Sequence, residues 1–317
     1  MTQHCDDYSN PRVEFPGATG DAVSGVVRAD PKKILWLAPM YLFGTVGSAS
    51  TATPGAIALF LLFTGLTLCL GHSLGMHRRL IHRAFDCPKW LEYTMIHLGT
   101  IVGISGPLTL LRTHDTRDWA QRQSQCHDYF ASTPPWYRDF WWQVFCSLEL
   151  RDPPEVRIEK EIEDDAFIQF MERTWMWQQL PWAVLFFAIG GWGWVFWGIC
   201  SRVAISVFGH WIIGYFAHNT GDQHWHVDGA AVQGFNVPFT ALLTMGECWH
   251  NNHHAYPGSA KLGIHKGEWD PGWWVLMVWQ RLGLASNFNE PDNMPLRREL
   301  IMLSDVEDEQ NRAHGHH

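Results

Sequence analysis

The residues best suited to chemistry lie in Gly246-Glu247-Cys248-Trp249-His250-Asn251-Asn252-His253-His254, which sets three imidazoles within five positions. On a helix, His250 and His254 share a face at i,i+4, and His253 lies on the same side one turn from His250. Neutral imidazole is a common ligand for iron, zinc and copper, whereas adjacent buried imidazoles would repel one another once protonated. The stretch therefore predicts a metal site.

Other polar segments carry possible partners: His77-x4-His82, His114 with Asp118 four residues on, and His218. Stepping out from these, the elements that must hold them are apolar. Ile34 to Ser50 and Ala56 to Leu70 are broken by Thr53-Pro54-Gly55 and predict a transmembrane hairpin. Each run is shorter than the roughly 20 residues a helix needs to span hydrocarbon, so the second must continue through His77. Arg78, Arg79, Arg83 and Lys89 follow at once, which predicts that this end is cytoplasmic. Pro181 to Cys200 and Val203 to Ala217 predict a second hairpin that turns at Arg202 and returns His210 and His218 to the same side. Ligands distant in sequence thus emerge from one membrane face, as a composite site requires.

Between the hairpins, Trp90 to Leu111 predicts one helix lying along the membrane face or against a cap, and Trp136 to Trp142 predicts an interfacial anchor. Residues 1–33 read as a polar N-terminal tail, 34–290 as one domain, and 291–317 as a polar C-terminal tail whose His314, His316 and His317 are solvated. With 19 tryptophans, 17% charged residues and a net charge of -9, the chain fits an integral membrane protein and not a nucleic-acid binder. Its seven cysteines form no Cys-x-x-Cys pair, which argues against a zinc ribbon or disulfide framework and fits a reducing, cytoplasm-facing site. The acidic N-terminus is not a secretory signal.

In these motifs the chain resembles the membrane fatty acyl desaturases of the stearoyl-CoA desaturase-like, histidine-box di-iron kind. Gly71 to Phe85 (Gly-x3-Gly-x-His-Arg-x3-His-Arg-x-Phe) is similar to their first box, and Gly246 to Pro257 (Gly-Glu-x2-His-Asn-x-His-His-x-x-Pro) to their third. Leu111-Arg112-Thr113-His114 enters the second, and the likeness runs from about residue 34 to 288. It implies an all-α integral membrane fold, four transmembrane helices under a cytoplasmic helical cap that holds a histidine-rich di-metal site. The implied reaction is O2-dependent desaturation of a fatty acyl chain, joined to CoA, a carrier protein or a lipid, that leaves a cis double bond in unsaturated fatty acid biosynthesis. Two iron ions are implied as cofactors. Because no heme-binding His-Pro-Gly-Gly segment is present, electrons would come from a separate ferredoxin or cytochrome with its reductase. A bacterial inner membrane is the expected location, with membrane lipid around the spans.

Carried over residue by residue, the resemblance puts His77, His82, His114, Asp118 and His253 around one iron. His218, His250 and His254 surround the other, with position 117 as the fourth place. Here the chain departs from the family, whose second box ends in two histidines where this one has Arg117-Asp118. Asp118 can serve as a carboxylate ligand at i,i+4 from His114. Arg117 cannot, since guanidinium stays charged and offers no lone pair; a salt bridge to Asp115, Asp118 or Glu247, or to an anionic substrate group, is expected instead. Gly214 stands where the family usually has an asparagine reaching the metal through water. His210 and His127 are the candidate extra ligands; His72, His224 and His226 also lie near the right face, and for each taken singly a hydrogen-bonded structural or surface role is favoured. Glu247 and Asp270 are expected to fix imidazole tautomers. The altered second box keeps two alternatives open, a hydroxylase or other oxidase of a lipid-like substrate, and a non-catalytic membrane metal- or lipid-binding homologue.

Overall fold

The structure is a computed structural model that describes residues 10–13, 20–295 and 297–304. Cys5 and the expected tail histidines His314, His316 and His317 lie outside the described residues. The chain is mostly helical, with two small antiparallel sheets.

Strand β1 (Gly25–Ala29) leads into α1 (Pro31–Leu42), which continues through a π-helical turn, Phe43–Gly47, to Ser50. Asp30 caps α1 by accepting from the Lys32 and Lys33 backbone N–H groups, and Pro31 takes the first-turn position where no N–H is needed. Thr53 and Pro54 start α2 (Pro54–Leu66) in the same way, and α2 runs on without a break as a π-helix over Thr67–Ile81.

Next come α3 (Lys89–Ile101) and α4 (Pro107–Arg122), so the single helix expected over Trp90 to Leu111 is in fact two. Gly103, at φ +89, and Pro107 break it. The long Pro54–Ile81 helix and α3 meet backbone to backbone. A Cβ on Gly71 would overlap Leu98 and Gly99, and one on Gly75 would come within 2.7 Å of the Met95 backbone. The Gly-x3-Gly of the first motif thus serves close helix packing. Helix α4 has no cap of its own; Glu172 of α6 (Ala166–Thr174) supplies one, accepting from the Leu108 and Thr109 N–H groups. Between them lie α5 (Trp136–Phe145) and β2 (Cys146–Leu150).

The second apolar pair is α7 (Gln179–Val195), a π-helical stretch Phe196–Ser201, and α8 (Arg202–Asn219). Its turn lies at Gly190 and Gly191, the latter at φ 64 and ψ −159, and not at Arg202 as the charge suggested. Arg202 is fully buried in the returning limb and donates to the Gln179 side chain and the Ile101 carbonyl. A bond from residue 202 to 179 is possible only if the two limbs run antiparallel, since a straight helix of that length spans about 35 Å. Neutral oxygens of Gly198, Ile101 and Gln179 accept from the guanidinium and offset part of the cost of burying it. The limbs of the two hairpins lie side by side: Ser48 and Ser201 hydroxyls are 2.6 Å apart, and Gly193 backs onto Thr51. Both turns therefore sit at one end, and His77 and His218 at the other. Among the described residues, the Pro54–Ile81 helix, of 28 residues, is long and apolar enough to cross a membrane, and so by composition is the Gln179–Asn219 stretch, of 41 residues, which the Gly190-Gly191 turn divides into two limbs.

The ends expected as tails take part in the fold where they are described. β1 pairs with β2, with Val27 opposite Leu148. Arg12 is buried, donating to the Ile81 carbonyl and pairing with Asp115 at 3.1 Å. Near the other end β4 (Leu300–Met302) pairs with β3 (Trp225–Val227), His226 opposite Ile301. Helices α9 (His250–Ala255) and α10 (Pro271–Arg281) complete the histidine-bearing end.

Candidate metal centre

The π-helical register of the long Pro54–Ile81 helix decides where the first motif points. In an α-helix, residues five apart diverge by about 140°. Here the His82 N–H bonds to the His77 carbonyl, an i→i+5 closure, and the two imidazoles come together with Nε2 atoms 3.2 Å apart. α4 contributes His114, whose ring centroid lies 4.9 Å from that of His82. The short α9 contributes His253, 4.6 Å from His77 and 4.9 Å from His82. One nitrogen from each of these four lies within 4.8 Å of all the others. Asp118 stands at the edge of the group, with Oδ2 3.9 Å from His114 Nδ1.

The second group joins α8 to α9. His218 Nε2 lies 2.9 Å from His250 Nε2, which lies 3.1 Å from His254 Nε2. Imidazole nitrogens sit about 2.0–2.1 Å from a bound zinc ion, so neighbouring ligands of a first-row metal stand about 3 Å apart. The second group and the His77–His82 pair have this spacing, His114 and His253 stand within 4.8 Å of them, and the residues fit a metal. The two groups are contiguous through α9, with His250 and His253 centroids 5.7 Å apart.

The electrostatics keep lone pairs available. Burial, helped by neighbouring imidazoles, holds His82, His253 and His254 well below the ordinary value and His250 at about 3. Burial acts the same way on His114, but the Asp118 and Asp115 carboxylates outweigh it and the net shift is upward. Burial alone would raise the Glu247 carboxyl, yet His77, Arg78 and Ser73 hold it well below the usual carboxylate range.

A cavity of about 290 Å³ opens onto both groups, touching His77, His114 and His253 on one side and His218 and His250 on the other. Its exposed surface is mostly apolar, from residues such as Ile81, Leu110, Val207 and Ile213, with Lys33, Arg117 and Asp139 also on its wall. A mostly apolar cavity surface against two clusters of imidazoles suits an alkyl chain.

No family model matches the chain. It is 30% identical over 275 residues to an sn-1 stearoyl-lipid 9-desaturase of Anabaena variabilis, covering 82% of this chain and 96% of that one. An sn-1 stearoyl-lipid 9-desaturase of Synechocystis is 32% identical over 250 residues, covering 74% and 72%. An acyl-CoA 5-desaturase of Anemone leveillei is 27% identical over 260 residues, covering 80% and 78%. The chain belongs to the membrane fatty acid desaturase family.

Not every site residue of this desaturase stands where the sequence put it. Arg117 makes none of the expected ion pairs: it donates to Gln143 Oε1 at 2.6 Å and lies over the Tyr129 ring. Two of the three expected acceptors are taken, since Asp115 holds Arg12, and Glu247 lies 2.6 Å from His77 Nδ1 and accepts from Ser73. His210 lines the cavity against His72, centroids 5.0 Å apart, but joins neither group. His127 lies apart from both; its Nδ1 accepts from the Tyr129 N–H and caps a short helix. Asp270 touches no imidazole among the described residues. It holds Arg78 with both oxygens, at 2.7 and 3.1 Å, and caps α10.

Of the other positioning residues, Gln121 belongs to the Trp119-Ala120-Gln121 stretch that follows the second-motif ligands and could be expected to orient them, whereas Asn236 carries no sequence signal. Gln121, bonded to the Phe130 carbonyl, brings its amide nitrogen 3.1 Å from His218 Nε2. Buried Asn236 donates to Asn252 Oδ1 and accepts from the Asn251 N–H. The two asparagines of the third motif face away from the imidazoles: Asn251 accepts from the His224 and Trp225 N–H groups, and Asn252 donates to the Leu262 carbonyl and Glu268. They anchor the back of α9, which explains why two amides lie between His250 and His253.

Proposed function

We propose that this desaturase inserts a cis double bond into a fatty acyl chain held in the cavity beside two irons. The single observation that carries this reading is the apolar cavity abutting both histidine groups. His77, His82, His114, Asp118 and His253 would hold one iron, and His218, His250 and His254 the other. Iron, when bound, supplies the O2-dependent oxidising chemistry that removing hydrogen from an unactivated methylene demands. The residues do the rest. His77 Nδ1 lies 2.6 Å from Glu247 Oε2 and its Nε2 faces His82, so a proton held on Nδ1 beside the carboxylate would leave Nε2 for the metal. The cavity walls exclude water and fix which carbons lie beside the imidazoles.

Four helical limbs would cross the membrane, under a cap built from the chain between and after the hairpins. The cluster of Arg78, Arg79, Arg83 and Lys89 at the histidine end supports a cytoplasmic active site, in bacteria at the inner membrane. A separate ferredoxin or cytochrome with its reductase would supply the electrons. The relatives' names support double-bond formation over hydroxylation or non-catalytic binding.

The test is to express the full chain in a host with a matching reductase system and to determine membrane fatty acids by gas chromatography with mass spectrometry. A new monounsaturated species is expected, absent when His253→Ala replaces the protein at equal membrane abundance. Hydroxylated product, or an unchanged profile in both strains, would sink the proposal.

A further inference from the structure

A third group of metal-ligating side chains lies outside the two histidine groups. His224 precedes β3, and His265 and Glu268 lie in the loop between α9 and α10. Their rings and carboxylate converge: His224 and His265 centroids are 4.4 Å apart, His224 Nε2 is 3.7 Å from Glu268 Oε1, and one ligand atom from each lies within 4.8 Å of the others.

The carboxylate is aimed. Glu268 is 8% exposed, and its Oε2 accepts from Asn252 Nδ2 and the His265 N–H, both at 2.8 Å, while Oε1 faces His224. His265 is steadied by stacking on Trp225 at an interplanar angle of 21°. Gly267, at φ +94, allows the tight turn that brings residues 265 and 268 to one side. The His224 side chain is 45% exposed, so water can reach the open side of the group.

We infer that His224, His265 and Glu268 form a further divalent-cation site, chemically suited to zinc. Two imidazoles and one carboxylate with a water position match zinc's tetrahedral preference, whereas calcium and magnesium favour sites built from oxygen alone. The cation would tie β3 to the loop behind α9. Through Glu268 and Asn252 it braces the helix that carries His250, His253 and His254 from the side opposite their imidazoles. It is a structural clamp, and its existence does not depend on the activity of the other two groups.

The test is metal counting on the purified, iron-loaded full chain, equilibrated with zinc chloride and desalted, by inductively coupled plasma mass spectrometry. The unmodified protein is expected to retain one zinc more than His224→Ala and His265→Ala. His253→Ala is expected to keep that zinc while losing iron. Histidines near the C-terminus are common to all variants and cancel in the difference. Because His224 is half exposed, its alanine variant should fold, and zinc should raise the thermal midpoint of the unmodified protein but not of this variant. Equal zinc in the unmodified protein and both variants, or loss of the zinc in His253→Ala alone, would overturn the site.

Discussion

Glu247 Oε2 lies 2.6 Å from His77 Nδ1, while the other nitrogen of the same ring lies 3.2 Å from His82 Nε2. One carboxylate thus stands where it can hold the proton on Nδ1 of the imidazole that joins the first motif to the centre. Arg78, whose Nε is 3.7 Å from Glu247 and whose guanidinium is held by Asp270, extends the chain of contacts to α10.

Glu247→Gln should therefore weaken iron binding or activity by about 10–100-fold, since partners of metal-ligating imidazoles carry effects of that size. Iron per chain and product formation would be read together in membranes with matched protein abundance. Iron content and turnover both equal to the unmodified protein would show that Glu247 does not position His77.

Asp270→Ala should destabilise the protein by about 3–5 kcal/mol, because it strands a buried guanidinium. The control is Asp86→Ala, which removes the half-exposed partner of Arg79 and should cost within about 1 kcal/mol. Thermal midpoints in detergent decide the matter, and equal shifts would count against the buried pair.

The metal-free protein should lose stability as the solution is acidified. His250 is held at about 3 in the folded chain against an ordinary value of 6.5. Between those values the unfolded chain binds more protons, so this contribution is complete above the unfolded value and declines as pH falls toward the folded one. His82, His253 and His254 shift in the same direction. The midpoint of metal-free protein should drop from about pH 7.5 to about pH 5.5, and drop less for His250→Ala; identical slopes would refute the assignment.

Arg117→Gln should leave iron per chain unchanged. The guanidinium bonds to Gln143 and lies over Tyr129 at the cavity wall. A gain or loss of an equivalent of iron in this variant would mean that position 117 acts on the metals directly.

Gly75→Val should destabilise by about 1–3 kcal/mol or more, because its Cβ would press on the Met95 backbone of α3. Iron retention should fall with it, since the same helix carries His77. Normal thermal stability with full iron would separate the glycine from helix packing.

Local spacing by itself determined much of this protein. His250, His253 and His254 share a face because a short helix repeats at that interval, and the charge-free runs fixed which segments could face lipid. The common side of the histidines followed from the basic residues beyond the first hairpin. What needed the tertiary structure were relations between segments far apart in sequence. Arg202 looked like the mark of a turn, but Gln179 and the Ile101 carbonyl give the cation a buried home, so the turn fell to the flexible Gly190-Gly191. Arg117 looked like the partner of a carboxylate, but Arg12, arriving from the N-terminal segment, already held Asp115. His77 and His82 point together because packing of Gly71 and Gly75 against α3 accompanies a π-helical register that no composition rule selects. Spacing specifies which side chains can share a face; only the competition among distant partners for each buried donor and acceptor decides which of them meet.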